Sequence, residues 1–95
     1  MAFYVYVLTN TRRGVLYTGV TNSLVRRTFE HRTHAVRGFT SKYGTTRLVY
    51  FEVHDTAESA IVREKAIKRW GRVWKFELIE GRNPNWDDLW DEITK

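Results

Sequence analysis

The chain contains three short stretches dominated by apolar, β-branched and aromatic residues and separated by polar segments, and this pattern predicts three β-strands. The stretches at residues 3–8 and 15–20 are rich in β-branched and aromatic side chains, and turn residues at 9–14 join them into a hairpin. Residues 47–53 have a similar composition and predict a third strand. We therefore expect a small, largely antiparallel sheet.

A helix is predicted directly after the hairpin, because apolar residues recur there at intervals of three and four. Thr21 or Asn22 supplies a capping side chain, and we expect the helix to continue to about Val36. Residues 37–46 contain glycines and basic residues and are predicted to form a loop.

Two further helices are predicted after the third strand. Asp55 or Thr56 caps the first of them, which runs through about Trp70 and is broken at Gly71. A short helix is expected over residues 72–80. The order ββαβαα indicates the α/β (α+β) class, with a three-stranded antiparallel sheet flanked by helices.

Length and composition are typical of one domain spanning residues 1–95. The chain is 42% hydrophobic and contains four Trp, five Tyr and five Phe residues, enough for one small core. No apolar run approaches the roughly 20 residues of a membrane span, so we expect no membrane association. The absence of cysteine excludes disulfides and thiolate metal sites, and it favours a cytoplasmic location.

The positive charge is concentrated in the first half of the chain. Residues 1–50 contain eight Lys and Arg residues and one acidic residue, Glu30, whereas residues 51–95 contain eight basic and ten acidic residues. The two halves thus carry net charges of +7 and −2 within the total of +5. Such an asymmetry favours a polyanionic partner, most often nucleic acid, although a solvated basic surface is an equal alternative.

The hairpin is expected to bring two tyrosines together. If residues 9–14 form the loop, Tyr6 lies opposite Tyr17, and both side chains occupy one face of the sheet. Tyr4 and Gly19 form the next pair along this face, where the glycine leaves space or lets a ligand approach. Taken alone, the tyrosine pair is more simply explained as ordinary cross-strand packing.

Helical geometry separates two adjacent arginines in the first helix. At 100° per residue, Arg27, His31 and His34 fall within about 60° of one another, beside the apolar face. Arg26 instead points to solvent. The apolar face is expected to contain Leu24, Val25, Thr28, Phe29, Ala35 and Val36. A polar border of this kind is also normal on a solvated amphipathic helix.

Glu64 lies at the edge of the buried arc predicted for the second helix. The arc consists of Ala60, Val62, Ala66, Ile67 and Trp70. A half-buried carboxylate requires a partner, because an unpaired buried charge is costly. That partner is either Lys68, one helical turn away, or a divalent cation, which binds carboxylate oxygen well.

In this order, these residues resemble the GIY-YIG nuclease superfamily, and most of all its small stand-alone members. Tyr4–Tyr6 (YVY) and Tyr17–Gly19 (YTG) correspond to the two signature tripeptides, with both tyrosines retained although other letters differ. They are followed by "TNSLVRRTFEH" and by "SAIVREKAIKRWGRVWKFELIEGRNPNWDDL", which is similar to the second half of these members. The resemblance covers residues 3–90.

The resemblance implies a role for each candidate active-site residue. Tyr6 and Tyr17 line the catalytic face, and Tyr6 is the better candidate for a general base toward the attacking water. Arg27 corresponds to the catalytic arginine, and His31 corresponds to a histidine that assists the tyrosine. Glu64 corresponds to the single carboxylate that binds one Mg²⁺ or Mn²⁺ ion; no other cofactor is expected.

These correspondences imply a metal-dependent DNA endonuclease that leaves 5′-phosphate and 3′-hydroxyl ends, in DNA repair or in branched-DNA processing. The alternatives are a nucleic-acid-binding module whose nuclease activity is weak or lost, and a protein-interaction domain. We expect no appended DNA-binding domain, which leaves the choice of target open. A monomer and a weak dimer are both compatible with the sequence.

The remaining basic residues of the first half are candidates for nucleic-acid binding. Arg26, Arg37 and Lys42 flank the candidate site in sequence and are expected to contact backbone phosphates without reading the base sequence.

Aromatic residues outside the hairpin are interpreted mainly as packing residues. Phe39 and Tyr43 either stack on an unpaired base or, more simply, pack onto the core. The tryptophans form two pairs with four-residue spacing, which we expect to fasten the last segments to the sheet: Trp70 with Trp74, and Trp86 with Trp90.

Overall fold

The computed structural model describes residues 1–35 and 38–95, so the predicted phosphate contact at Arg37 lies outside the described residues. Three antiparallel strands form one sheet in the order β2-β1-β3, which confirms the predicted α+β class. The elements follow the chain in this order: β1 (Phe3–Thr9), β2 (Leu16–Thr21), α1 (Leu24–Arg32), α2 (Phe39–Tyr43), β3 (Arg47–His54), α3 (Ala57–Arg69), α4 (Arg72–Arg82) and α5 (Trp90–Ile93).

The hairpin register differs by two residues from the predicted one. Its loop occupies residues 10–15, because the Asn10 side chain accepts a hydrogen bond from the Val15 N–H at 2.9 Å and removes Val15 from the ladder. Arg13 adopts a left-handed conformation within this loop, with φ of 54°. The predicted pairing of Tyr6 with Tyr17 was therefore wrong.

The observed register places Tyr6 opposite Gly19 and Tyr17 opposite Leu8. Tyr4, predicted to face Gly19, lies opposite Thr21 instead. Because strand side chains alternate with a period of two, a slip of two residues keeps both tyrosines on the predicted face. They are diagonal neighbours, with ring centroids 6.3 Å apart.

The first helix is shorter than predicted. It ends at Arg32 rather than near Val36, and His34 follows in a left-handed conformation with φ of 58°. Its N-cap is Ser23 rather than Thr21 or Asn22, although the Thr21 hydroxyl accepts a hydrogen bond from the Ser23 N–H. Within the predicted loop at 37–46, the structure contains the short helix α2.

Helices cover both faces of the sheet. On the face of Tyr6 and Leu8, buried Leu24 of α1 and partly buried Leu89 and Ile93 pack together. On the opposite face, Val5 packs against α3, and Val7 packs against Ile79 of α4 together with Trp86. Trp86 is fully buried, which confirms its predicted packing role.

Several expected apolar positions are exposed. Val25 and Phe29 of α1 were predicted to face the core but are 43% and 54% exposed, and Phe29 stacks on Trp90 instead. Val62 was placed on the buried arc of α3 but is 69% exposed. Trp74 was expected to pack onto the sheet but is 63% exposed. Each lies outside the stripe where its helix contacts the sheet.

The structure shows which of the two predicted capping residues, Asp55 or Thr56, begins α3. Thr56 is the N-cap of α3, and its hydroxyl accepts a hydrogen bond from the Ser59 N–H at 3.1 Å. The next helix, α4, continues to Arg82, slightly beyond the predicted residue 80.

Among residues 1–35 and 38–95, no helix combines the length and the apolar character needed to cross a membrane.

Candidate active site

Gly19 makes room for the side chain of Tyr6. The two residues face each other across β1 and β2, and the phenol of Tyr6 lies over the glycine. A Cβ atom built on Gly19 would lie 2.5 Å from the Tyr6 hydroxyl oxygen. The space expected at this glycine therefore holds a residue of the protein itself, and it allows the phenol to reach across the edge strand.

The buried phenol begins a chain of hydrogen bonds. Tyr6 Oη lies 3.1 Å from His31 Nε2, and His31 Nδ1 lies 2.9 Å from Thr40 Oγ1. All three residues are at most 2% exposed. With its hydrogen on Nδ1, His31 donates to Thr40 and accepts from the Tyr6 hydroxyl at Nε2.

The surroundings shift the pKa of both groups. Burial raises the pKa of Tyr6 well above its ordinary value of 10, and Tyr17 adds to this rise, whereas the positive charge of Arg27 opposes it. Burial lowers the pKa of His31 below its ordinary value of 6.5, and Arg27 lowers it further. At neutral pH the pair is therefore a protonated phenol beside a neutral imidazole.

Tyr17 lies beside this pair on the same face of the sheet. Its ring centroid is 5.3 Å from that of His31 and 6.3 Å from that of Tyr6. The structure thus brings both predicted tyrosines and the predicted histidine together, although they come from two strands and a helix.

Arg27 and Arg26 share a groove at the start of α1. The groove has a volume of about 260 Å³, and its lining includes both arginines and Glu30. The side chain of Arg26 is 79% exposed, as predicted, whereas that of Arg27 is 42% exposed. Each guanidinium lies 3.4 Å from a carboxylate oxygen of Glu30, so this acid holds the two cations on one side of the helix.

Glu64 is the acidic residue of α3 that affects the tyrosine. Its side chain is only 12% exposed, and its Oε2 atom forms an ion pair with Lys68 Nζ at 2.7 Å. This is the partner one helical turn away that the sequence offered as an alternative to a metal ion. The carboxylate is also close enough for its negative charge to raise the pKa of Tyr6.

The donor set suits a loosely held hard cation. Among the described residues, no three His, Asp or Glu side chains cluster in a way that could hold a metal ion. Mg²⁺ commonly uses one or two protein carboxylates and completes its coordination with water and substrate phosphate. Glu64 fits that pattern as a single carboxylate, in competition with Lys68.

Two other predicted residues, His34 and Lys42, are exposed. His34 was grouped with Arg27 and His31, but it follows the end of α1 and is exposed. Lys42 is exposed on α2, two residues after Thr40, and its ammonium lies 5.3 Å from the ring centroid of Tyr43.

Sequence reasoning missed Thr40 and Glu30 as parts of the site. Thr40 lies in a segment that was predicted to form a loop. No sequence pattern around it indicates that its hydroxyl contacts His31, nine residues earlier. The ion pairs of Glu30 could have been predicted, because Glu30 follows Arg26 by four residues and Arg27 by three, and both spacings allow ion pairs on a helix.

The chain is similar in sequence and in fold to known proteins. A family model described as the GIY-YIG catalytic domain matches residues 2–77. The UPF0213 protein CPE1444 of Clostridium perfringens is 34% identical over 91 residues, which cover 96% of this chain and 97% of that protein. The UPF0213 protein HQ_3675A of Haloquadratum walsbyi is 36% identical over 77 residues, covering 81% and 85%. The solution NMR structure of the UPF0213 protein BH0048 from Bacillus halodurans superposes with a TM-score of 0.58 at 28% identity, covering 94% of each chain.

Proposed function

We propose a function from the premise that this chain belongs to the GIY-YIG family: it is a metal-dependent endonuclease that hydrolyses phosphodiester bonds in DNA. The observation that carries the proposal is the hydrogen bond between Tyr6 and His31, beside Arg27 and Glu64. A buried phenol with a neutral imidazole as its acceptor is equipped to move a proton.

The raised pKa of Tyr6 determines how the base works. A phenolate is scarce at neutral pH, so Tyr6 does not act as a preformed base. Instead, the Tyr6 oxygen accepts a proton from the attacking water while its own proton passes to His31 Nε2. The water oxygen forms the new bond to phosphorus, and the bond to the 3′-oxygen breaks. The products are a 5′-phosphate and a 3′-hydroxyl, whose proton comes from solvent.

Arg27 supplies positive charge to the reacting phosphate. Its guanidinium is always protonated and planar, so it can bind two phosphate oxygens and stabilise the additional charge of the transition state. The same charge keeps His31 neutral before the reaction, because it lowers the pKa of the imidazole. Tyr17, packed against His31, orients the imidazole and the water.

Glu64 is the residue that would hold the metal ion. A bound Mg²⁺ or Mn²⁺ ion polarises a phosphate and stabilises a departing oxygen. In the protein alone, Lys68 neutralises this carboxylate, and its ammonium is then available to phosphate once a cation replaces it.

The substrate is expected to be bound through backbone phosphates. Arg26 lines the groove with Arg27, and Lys42 lies on the exposed surface of α2. Arg37 belongs to the same proposal from its sequence position alone. Such contacts do not read base sequence, which fits a cytoplasmic enzyme of DNA repair or branched-DNA processing.

Cleavage of supercoiled plasmid and of branched DNA tests the proposal. The protein is expected to nick or cut DNA with Mg²⁺ or Mn²⁺ but not with a chelator. Glu64→Gln should abolish this activity, whereas Glu58→Gln, in the exposed first turn of α3, should retain it. Cleavage by Glu64→Gln at the normal rate would remove Glu64 from the metal site. Binding of DNA without any cleavage would favour the binding-module alternative.

A further inference from the structure

The junction of α3 and α4 exposes an unusual tryptophan. Residues 68–75, here named the α3–α4 corner, contain a shallow groove. Its lining is Arg69, Trp70, Gly71, Arg72, Val73 and Trp74. Trp74 is 63% exposed, although tryptophan is largely buried on average in folded proteins. A ring this exposed has one large apolar surface available to a ligand.

Trp74 is held in place by its neighbours. Its ring centroid lies 5.9 Å from that of Trp70, and the two planes meet at 77°. Trp70 is half-buried and lies under the guanidinium of Arg63, with 5.1 Å from the guanidinium carbon to the ring centroid. A braced, exposed indole loses little conformational entropy when a flat group stacks on it.

Positively charged side chains accompany Trp74 at the corner, because Arg69 and Arg72 line the same groove and Lys75 follows Trp74 in the chain. Lys75 is half-buried, and its pKa is lowered by burial and by the nearby charges of Arg72 and Lys68. Arg72 donates hydrogen bonds to the carbonyl oxygens of Arg13 and Gly14 and so ties α4 to the hairpin loop. Cations placed this close repel one another, and a bound anion relieves that repulsion.

The corner lies next to a groove that includes Tyr17 of the candidate active site. A second groove is lined by Tyr17, Lys68 and Lys75 together with Leu16 and Thr18. Tyr17 packs against His31, and Lys68 pairs with Glu64. Lys75 shares this groove with Tyr17 and directly follows Trp74 in the chain, which links the second groove to the exposed indole.

We propose that the α3–α4 corner binds a single-stranded segment of the DNA substrate next to the cleaved phosphate, with Lys75 contacting backbone phosphate and Trp74 stacking on an unpaired base. This inference rests on the proposed function for the identity of the substrate. Base stacking on an aromatic side chain tolerates any base sequence but requires the base to be out of a duplex. The preferred substrate is accordingly a flap, a fork or a single strand rather than a blunt duplex.

Binding measurements separate this inference from catalysis. Fluorescence anisotropy of labelled oligonucleotides is measured in a chelator, so that no cleavage occurs. Trp74→Ala is expected to weaken binding of a single-stranded or flap oligonucleotide about tenfold, with little change for a blunt duplex. Trp74→Phe, which keeps an aromatic ring, should recover most of the affinity. Val62→Ala removes another exposed apolar side chain, outside the groove, and should leave affinity unchanged.

The proposed phosphate contact of Lys75 is tested separately, by the salt dependence of binding. Lys75→Gln is expected to reduce the slope of log affinity against log salt concentration by about 0.7 for a single strand, as one lost phosphate contact predicts. Lys95→Gln removes one positive charge beyond α5 and should preserve the slope. An unchanged slope in Lys75→Gln overturns the assignment of this phosphate contact.

Unchanged single-strand binding by Trp74→Ala overturns the inference. If that variant instead shifts a dimer to monomer in sedimentation, the corner joins two copies of the chain. Wild-type protein that binds flaps through Trp74 but never cleaves DNA would leave the corner intact and refute the nuclease assignment. If the wild-type protein cleaves DNA and Trp74→Ala has no effect on binding, the nuclease assignment stands and the role of the corner is refuted.

Discussion

The Tyr6 hydroxyl oxygen lies 3.1 Å from Nε2 of His31, a residue 25 positions later in the chain. Burial and the charge of Arg27 keep this imidazole neutral, so it is an acceptor for the phenolic proton. Because of this hydrogen bond, Tyr6 can pass its proton to His31, although its raised pKa makes it a poor base by itself. Four expected outcomes follow from the residues that surround it.

Acid is expected to destabilise the protein through His31. Because burial lowers the pKa of His31 in the folded state below 6.5, the unfolded chain takes up this proton first as the pH falls. The contribution of His31 to the free energy of unfolding is complete above about pH 7 and is lost as the pH falls below about 6.5, by at most about 1.4 kcal/mol per pH unit. Urea denaturation between pH 5 and 8 measures this slope.

His31→Gln should flatten the slope of stability against pH, and exposed His34→Gln should preserve it. Equal slopes in all three proteins would contradict a buried neutral His31. Cleavage should also decline in acid, as the pH falls through the lowered pKa of His31 in the folded protein, because protonated His31 no longer accepts a proton from Tyr6.

Thr40 is expected to determine which nitrogen of His31 carries the hydrogen. Thr40→Val removes the hydroxyl 2.9 Å from Nδ1 and should lower cleavage about tenfold, while Thr40→Ser should restore it. Nitrogen chemical shifts of His31 report the tautomer directly. The wild-type and serine proteins should show hydrogen on Nδ1, and the valine variant should show a mixture. If Thr40→Val keeps the wild-type tautomer of His31, Thr40 does not set the tautomer and only packs against the histidine.

Gly19→Ala is expected to displace the phenol of Tyr6. The added Cβ would lie 2.5 Å from the hydroxyl oxygen, so the ring must move and its hydrogen bond to His31 breaks. We expect a loss of about 1–3 kcal/mol in the free energy of unfolding and at least a tenfold loss of cleavage. Thermal denaturation and plasmid cleavage measure the two effects.

Gly81→Ala is the matched control for Gly19→Ala. Gly81 lies within α4, and a Cβ atom there has no neighbour within 4 Å among the described residues. The substitution should stabilise the protein by about 0.5–1 kcal/mol and leave cleavage unaltered. Full activity in Gly19→Ala would show that the phenol can relax without consequence.

Arg27→Ala is expected to raise the pKa of His31 and to remove cleavage. The nearby positive charge lowers that pKa, so its loss moves the imidazole toward its ordinary value, which an NMR titration detects. Cleavage should fall by about a hundredfold or more, because charge on the phosphate is no longer stabilised. Arg26→Ala should weaken DNA binding but leave the His31 titration unchanged. Matching titrations in the wild-type protein and Arg27→Ala would place Arg27 outside the site.

Local periodicity explains which parts of the fold were predictable. The three strands and the helices over 57–69 and 72–82 each carry an apolar pattern within their own residues, and their existence was correctly predicted. The ends of α1 and the short helices α2 and α5 were missed, because they depend on loop conformation and on contacts with other elements. The hairpin register was missed because the side chain of Asn10 takes the N–H of Val15 out of the ladder.

The sequence by itself determined the class of fold and the face on which Tyr6 and Tyr17 lie. That face survived a wrong register because strand side chains repeat every two residues and the error was two. Only the tertiary structure decided that His31 meets Tyr6, that Thr40 meets His31, and that Trp74 remains exposed. These contacts join elements far apart in the chain, and their distances follow from the packing of helices on the sheet, which no local pattern encodes.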